Sequence, residues 1–378
     1  MNWTQKQFKD FVTLQRGFDL PKSRMVDGVV PVLGSNRVIG YHNEVKVEAP
    51  GVVTGRSGTL GLVQYSEQPF WPHNTALWVK DFKGNNPKFV YYKLKTLHLE
   101  RFNGGASVPT LNRNVLDTLP ISVPKQAEQF RIVSILSAYD DLIENNRRRI
   151  ALLEKASRLL YREWFVHFRF PGHEHVNITD GLPEGWESQY LRDVVTTQYG
   201  HTASASDIEV GPKFVRGTDI NKRSFIDWQT VPYCPEQSLD FNKYALVPSD
   251  ILVIRMADPG KVAIVEKSIQ AVFASYLVRL KVRNPDKVPP IFLFMTLMDK
   301  RYQGFIGASS GGSTRKSASA KLLTDFYFAL PPKALLKLYI EQITPMREMI
   351  TRLVDQCASA ARARDLLLPR LMNGAIII

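Results

Sequence analysis

Residues 3–17 (WTQKQFKDFVTLQRG) return 183 positions later as residues 186–200 (WESQYLRDVVTTQYG), with six identical residues at one fixed spacing. Further pairs at the same or a longer spacing are Val32 and Val215, Gly104 and Gly311, and Pro124 and Pro331. Insertions that lengthen the spacing belong in loops, which tolerate extra residues. The chain is therefore predicted to be one unit of roughly 170–200 residues written twice, and not a solenoid of short repeats.

Within each copy, short runs rich in Val, Ile, Tyr and Phe alternate with Gly, Pro, Asn and Ser. This alternation predicts strands joined by turns, as in residues 51–65 and 251–265. Short helices are predicted over residues 87–98 and 290–301. We expect each copy to form an α+β domain.

After each copy, the apolar residues change to a helical period. Residues 128–164 contain neither Pro nor Gly, and their apolar residues recur at alternating spacings of three and four, which predicts a coiled-coil helix of roughly 55 Å. In the second helix, Pro345 is expected in the first turn, and Pro369 is expected to kink or end the helix. The predicted seam consists of Leu136, Ile143, Asn146, Ile150, Leu153 and Leu160 in the first helix, and of Ile343, Ile350, Leu353 and Leu367 in the second.

Each predicted helix has an apolar stripe that it cannot bury alone. The simplest solution packs the two helices antiparallel, with a pseudo-two-fold axis and a domain at either end; a helix that needs another protein chain is the alternative. The predicted fold class is α+β, with two tandem α/β domains separated by two long antiparallel coiled-coil helices. The expected boundaries are 1–125 for the first domain, 126–168 for a central spacer helix, 169–333 for the second domain and 334–378 for a distal spacer helix.

The chain has 378 residues and a formal net charge of +13. Residues 1–124 carry +6 and residues 181–333 carry +4, and two basic blocks indicate a polyanionic partner, with nucleic acid considered first. Cys234 and Cys357 are too far apart for a disulfide framework. Apolar runs are too short to span a bilayer, and the N-terminus lacks the apolar core of a signal peptide. We therefore expect a cytoplasmic protein without a membrane partner.

Motifs that could carry catalysis are weak in this sequence. Gly55, Gly58 and Gly61 resemble a phosphate loop, but strand-like residues follow them where a helix would be needed, so a hairpin is favoured. Residues 86–89 (NPKF) differ at the third position from the Asn/Asp-Pro-Pro-aromatic motif of amino-methyltransferases. We assign no catalytic residue, no cofactor site and no metal site.

Polar loops rich in hydrogen-bond donors recur in both basic blocks, and such side chains contact phosphates and base edges. For any single residue, a solvated surface position is an equally good interpretation, but the set favours DNA binding. The candidates in the first copy are Arg16, Asn36, Arg37, Arg56, Ser57, Asn103, Gly104 and Gly105. Those in the second copy are Gln198, His201, Lys222, Arg223, Arg255, Lys261, Thr314, Arg315 and Lys316.

Four stretches carry a resemblance to a known family. They are residues 104–124 (GGASVPTLNRNVLDTLPISVP), 150–165 (IALLEKASRLLYREWF), 182–187 (LPEGWE) and 366–374 (LLLPRLMNG). Their motifs and their duplicated order resemble the specificity subunits of type I restriction-modification systems.

The resemblance implies a non-catalytic subunit with two target recognition domains, each reading one half of a split, asymmetric site in double-stranded DNA. It further implies that the helices set the gap between half-sites and dock modification subunits, two of them, which carry the S-adenosylmethionine chemistry, and that restriction subunits join the full complex. We expect half-sites about one turn, roughly 34 Å, apart. A homodimeric coiled-coil DNA-binding regulator and an enzyme in its own right are the alternatives.

Overall fold

The computed structural model describes residues 3–105, 107–235, 240–309 and 317–376. The chain forms two compact units, of which the first comprises Met1–Ile143 and Ser359–Ile378 and the second Glu144–Ala358. Two long helices contribute to both units: the central helix, Gln126–Phe165, and the distal helix, Lys333–Met372. Each unit contains one copy of the sequence repeat.

The first unit is built on a four-stranded antiparallel sheet. Its strand order is Thr13–Arg16, Ala76–Asp81, Gly51–Gly55 and Val63–Ser66. A second sheet has the order Val38–His42, Val30–Leu33 and Trp71–Pro72, with the last pair parallel, and strand Trp3–Gln7 pairs with Pro120–Pro124. The α-helices before the central helix are Phe8–Phe11, Pro87–Lys95 and Arg113–Leu116, and the 3-10 helices are Lys22–Arg24 and Leu99–Phe102.

The second unit repeats this plan with insertions. Its four-stranded sheet has the order Val195–Tyr199, Leu277–Val282, Ile251–Ile254 and Val262–Ile264. Glu187–Tyr190 pairs with Tyr327–Leu330, Lys213–Val215 runs parallel to Ala271–Phe273, and Ile178–Thr179 pairs with Leu182–Pro183. The helices are Leu191–Val194, Gly217–Ile220, Phe241–Tyr244, Pro290–Met298, Lys300–Ser309 and Ala320–Thr324, with a 3-10 turn at His173–His175.

Two glycines of the repeat occupy the same crowded position in both units. A Cβ atom on Gly17 would lie 2.2 Å from the carbonyl oxygen of His73, and one on Gly200 would lie 2.3 Å from that of Ala274. Backbone atoms cannot move aside as a flexible side chain can, so both positions exclude every residue except glycine. The sequence identity at this position thus has a steric cause.

The hydrogen bonds of the parallel strand pairs correct one predicted equivalence. The His73 N–H donates to the carbonyl of Leu33, and the Ala274 N–H donates to that of Val215, each over 2.9 Å. Leu33, and not Val32, is therefore the counterpart of Val215. The predicted pairing was wrong by one residue because the loops before these strands differ in length.

The two long helices pack antiparallel within each unit. In the second unit, Asn146 Nδ2 donates to Gln356 Oε1 over 3.2 Å, and farther along the central helix the ring of Tyr161 lies 6.5 Å from that of Tyr339. In the first unit, Arg364 Nη1 donates to Asp140 Oδ1 over 2.6 Å. Residues later in the central helix thus contact residues earlier in the distal helix, as expected of an antiparallel pair.

The predicted seam residues are all at least half-buried. The fully buried ones are Leu136, Ile143, Asn146, Ile150, Ile343, Ile350 and Leu353, and the half-buried ones are Leu153, Leu160 and Leu367. Near the end of the central helix Tyr161 is buried more deeply than the predicted Leu160, one residue earlier, and Phe165 is buried one turn later. A helix of 3.6 residues per turn drifts by about 20° per heptad against a strict 3.5-residue repeat, which explains this change.

The distal helix does not begin near Pro345 and does not end at Pro369, as the sequence had suggested. It starts at Lys333, so Pro345 lies in its interior, and it continues past Pro369 to Met372. A proline inside a helix costs about 3 kcal/mol. The helix continues because its first turns bury Leu336 and Tyr339 in the core of the second unit.

Lys93 has an ammonium group buried in the first unit. Its Nζ donates to the carbonyl of Met372 over 2.9 Å, the residue is 7% exposed, and burial lowers the pKa of Lys93 to about 8. Between pH 8 and 10 the unfolded chain binds more protons at this site than the folded chain, so the free energy of unfolding rises with pH, by at most about 1.4 kcal/mol per pH unit. Lys93→Met is expected to abolish this rise in urea denaturation at pH 7.5, 8.5 and 9.5. The same increase in the free energy of unfolding with pH in both proteins would contradict the expectation.

Candidate nucleic-acid interface

An open groove of about 990 Å³ in the first unit is lined by several cations. Arg16 and Arg56, both predicted to bind DNA, lie there together with Lys80 and Arg113. Among the described lining residues, Asp19 is the one carboxylate. Four cations against one anion produce a positive potential that attracts a polyanion.

The backbone of Arg56 is fixed on both sides at the end of strand Gly51–Gly55. Its N–H donates to the carbonyl of Thr75 over 2.9 Å, and its carbonyl accepts from the Leu111 N–H over 2.8 Å. The side chain is also held, because Nη1 donates to the carbonyl of Asn74 over 3.4 Å. Arg56 is thus presented by a rigid part of the domain, which favours precise contact with a ligand.

Arg255 in the second unit has the same backbone contacts. Its N–H donates to the carbonyl of Tyr276 over 2.9 Å, and its carbonyl accepts from the Ala318 N–H over 2.8 Å. Its guanidinium lies 4.9 Å from the ring of Tyr199, within the range of a cation–π interaction. Arg56 and Arg255 are therefore structural equivalents.

The other candidates of the first unit have varied surroundings. Asn36 and Arg37 are exposed on the turn between two strands, outside the lining of the groove. Ser57 forms a bridge to Thr110. Asn103 is exposed, but its Oδ1 accepts from the N–H groups of Gly105 and Thr110, so this side chain closes its own loop.

That loop also contains Gly104 and Gly105. The Gly104 N–H donates to the carbonyl of Thr110 over 2.9 Å. A Cβ on Gly105 would lie 2.0 Å from the carbonyl oxygen of Val108. The glycine pair therefore permits the loop to fold tightly on itself.

In the second unit, Gln198 is held inside a hydrogen-bond network. Its Oε1 accepts from Arg279, and its Nε2 donates to the carbonyl of Lys243 over 2.8 Å. Arg279 Nη1 also donates to the carbonyl of Ala245 over 2.6 Å. The Gln198 side chain therefore anchors the segment around Lys243, which sequence reasoning had not foreseen because Lys243 lies 45 residues away.

Lys222 and Arg223 are exposed, but they directly precede residues that pack on the long helices. Phe225 lies in a buried cluster with Ile150 and Ile350, and Arg223 pairs with Asp227 over 2.9 Å. These two cations therefore lie beside the helix pair.

Two of the remaining candidates of the second unit, His201 and Lys261, lie in different surroundings. The ring of His201 lies 5.1 Å from that of Tyr244, and Lys261 is half-buried next to a turn. Thr314, Arg315 and Lys316 lie outside the described residues.

Two groove cations, Lys80 and Arg113, were missed by sequence reasoning. Lys80 lies on strand Ala76–Asp81, where a single exposed lysine has no distinguishing pattern. Arg113 belongs to residues 104–124, which carried the family resemblance, and its Nη1 donates to the carbonyl of Leu14 over 3.1 Å. A search for cations within the resembling stretches could have found Arg113.

The loop beside Arg56 contains one histidine, His73. Burial lowers the pKa of His73, while the Leu20 carbonyl and the nearby Asp19 carboxylate act in the opposite direction. The imidazole is therefore neutral at neutral pH. The positive charge at the groove therefore comes from its Lys and Arg side chains.

The described residues contain no group of three or more His, Cys, Asp or Glu side chains that could hold a metal ion. Within the same residues, no helix has the length and apolar character needed to cross a membrane. The hairpin predicted around Gly55, Gly58 and Gly61 is confirmed, because Gly51–Gly55 pairs antiparallel with Val63–Ser66.

Residues 1–155 and 183–335 match the type I restriction modification DNA specificity domain, one match for each copy of the repeat. The chain belongs to this family. It is 26% identical to the type I restriction enzyme MjaIX specificity subunit of Methanocaldococcus jannaschii, over 84% of this chain and 75% of that protein. It is 25% identical to the EcoBI specificity subunit of Escherichia coli, over 87% of this chain and 76% of that protein.

Among solved structures, the S subunit of a type I restriction-modification system from M. genitalium is similar to this specificity-family chain. The TM-score is 0.64 at 17% sequence identity, and the match covers 98% of this chain and 96% of that one. The two proteins share a fold. The predicted tandem arrangement of α/β domains with two long helices is confirmed.

Proposed function

We propose that this chain is the non-catalytic DNA-recognition subunit of a type I restriction-modification system. Each of its two domains binds one half of a bipartite, asymmetric site in double-stranded DNA and directs methylation and restriction subunits to it. The observation that carries the proposal is the pair Arg56 and Arg255, fixed by equivalent backbone contacts in both copies. Family membership favours this reading over a homodimeric regulator.

The proposed division of labour follows the four expected segments. Residues 1–125 and 169–333 recognise DNA, while residues 126–168 and 334–378 set the gap between half-sites. We also propose a cytoplasmic location, since a subunit that recognises the cell's own DNA works in the cytoplasm.

The proposed docking surface for modification subunits is an outward stripe on the central helix. Arg148, Leu152, Lys155 and Leu159 recur there at spacings of four, three and four, and Leu152 is 66% exposed. Exposed leucines at helical spacing are typical of surfaces that bury against a partner. Restriction subunits would join the complex that the two modification subunits form with this chain.

The experiment that tests the function is methylome sequencing of cells with and without this chain. One bipartite methylated motif is expected to disappear with the chain. Methylation by the isolated chain would instead indicate an enzyme in its own right. Co-purification as a dimer without any methyltransferase would indicate the regulator.

Arg56→Ala and Arg255→Ala are each expected to weaken binding of the full chain to duplex DNA about tenfold, at every sequence alike, because a lost phosphate contact carries no sequence information. The slope of log affinity against log salt should fall in magnitude by about 0.9 per variant. Lys6→Ala, an exposed cation on strand Trp3–Gln7, is the matched control and should change neither quantity. Unchanged slopes in both arginine variants would rule out the phosphate role.

A further inference from the structure

The two copies differ at the residue that follows the shared Gln15 and Gln198. The second copy has Tyr199, whose hydroxyl accepts from the Ala320 N–H over 2.9 Å and whose ring lies under Arg255. Tyr199 is thus committed to contacts within the protein. The first copy has Arg16 at this position, and its side chain is 52% exposed in the groove.

A chain of polar contacts orients Arg16 in the groove. Arg16 Nη2 donates to Asp19 Oδ1 over 3.3 Å, and the same oxygen accepts from Asn74 Nδ2. The carbonyl of Asn74 in turn accepts from Arg56 Nη1. One asparagine therefore connects the groups that hold the two guanidinium groups of the groove.

This arrangement leaves most of the Arg16 guanidinium available to a ligand. Of its five N–H donors, one is directed to Asp19. A planar fork of donors matches the O6 and N7 acceptors of guanine in the major groove, and its fixed geometry is more selective than the freely rotating ammonium of a lysine. Holding the fork in place beforehand reduces the side-chain entropy lost on binding.

The two copies share the residues suited to phosphate contacts and differ at a residue suited to base selection. Arg56 and Arg255 are the same residue with the same backbone contacts, which suits contacts to the phosphates common to every sequence. Position 16 differs between the copies, as a residue that distinguishes two unlike half-sites must. We propose that Arg16 reads a guanine in the half-site bound by the first domain, and that Asp19 and Asn74 are its positioning residues; this rests on the proposed function.

The test compares methylomes of cells that contain the full complex with the parent chain or with Arg16→Ala. The parent motif is expected to contain a G·C pair in one half-site. Arg16→Ala should reduce the preference at that single position by about 10- to 100-fold and leave the other half-site unchanged. Lys80→Ala, another cation of the same groove, is the control and should lower methylation at all sites evenly.

Two further variants test whether base selection requires the planar guanidinium of Arg16 or only its positive charge. Arg16→Lys keeps the charge and should relax the same position with little change in overall DNA affinity. Asp19→Asn should relax that position too, by a smaller factor. A preference preserved in Arg16→Ala, a relaxed position elsewhere, or a parent half-site without any G·C pair would each overturn the proposal, and a preference preserved in Arg16→Lys would overturn the role of the planar fork.

The outcomes also separate this inference from the function on which it rests. If no methylated motif depends on the parent chain, the proposed function fails. If the parent motif exists but Arg16→Ala leaves it unchanged, the function stands and the assignment of Arg16 is wrong.

Discussion

Arg347→Met is expected to destabilise the second unit by about 3–5 kcal/mol. Arg347 lies on the distal helix and is 4% exposed. Its Nε donates to Glu266 Oε1 over 2.7 Å, while Nη1 and Nη2 donate to the hydroxyl and the carbonyl of Ser224 over 2.8 and 2.9 Å. Methionine fills much of the volume but leaves the Glu266 carboxylate and the Ser224 carbonyl without these donors in a low-dielectric environment, which explains the size of the loss.

Urea denaturation of the full chain measures this effect, and Arg352→Met is its matched control. Arg352 lies on the same helix, but its side chain is 71% exposed and it pairs with Glu348 only over 3.7 Å. An exposed pair of this kind contributes about 0–1 kcal/mol, because water and salt screen it.

The double variant Arg347→Met with Glu266→Met tests the cause of the loss. Removing both charges should recover a large part of the stability, because an apolar pair leaves no buried charge behind. A loss below about 1 kcal/mol for Arg347→Met alone would show that water reaches this pair and that the contacts do not hold the helix on the domain.

The periodic features of this protein could be predicted from sequence because they repeat locally. The two long helices and the hairpin at Gly55 depend on residues close together in the chain, the tandem copies repeat the same local patterns 183 positions later, and the structure contains all of these features. The steric exclusion at Gly17 and Gly200 even explains why that position is identical in both copies.

The features that escaped prediction depend on partners distant in the chain. The helix passes through Pro345 because its earlier turns bury Tyr339 in a core assembled from the whole second domain. Arg347 resembles any helix-surface arginine until Ser224, 123 residues earlier, is placed beside it. No local pattern records such contacts, so reasoning by periodicity cannot supply them.

The same limit applies to the candidate site. Arg16 and Arg56 were chosen as loop cations, but their connection through Asn74 requires the groove itself. Gln198 was chosen for the same chemistry and instead anchors a segment inside the protein. A loop residue rich in hydrogen-bond donors can therefore be assigned to DNA binding only after its partners within the protein are known.

Shortening both helices by one heptad is expected to abolish methylation of the original bipartite motif. The deletions are residues 142–148 of the central helix and 357–363 of the distal helix. Residues 357–363 lie between Gln356 and Arg364, and residues 142–148 follow Asp140, the partner of Arg364, and include Asn146, the partner of Gln356. Seven residues make two turns of a 3.5-residue coil, so Ile150 takes the seam position of Ile143 and the apolar stripe stays continuous.

Seven residues correspond to roughly 10.5 Å of helix, or about three base pairs at 3.4 Å each. If the helices set the gap, the new motif keeps both half-sites and has a gap shorter by up to about three base pairs. Three base pairs also turn the duplex by roughly 100°, so methylation of the new site should be less efficient than that of the original one. Deleting the heptad from one helix alone should shorten the gap between the half-sites by less, because the antiparallel partner keeps its length.

Methylome sequencing of cells with the shortened chain reads out both the gap and the half-sites. Arg131→Ala with Arg149→Ala is the control, since it removes two exposed cations of the same helix outside the proposed docking stripe without changing the helix length, and the gap should stay as it was. A change in the half-sites themselves, or an unchanged gap, would show that the helices do not measure the distance between the half-sites. Because the deletions leave the described groove residues of the first domain intact, a shift in the gap alone would separate spacing, set by the helices, from base selection, set by the domains.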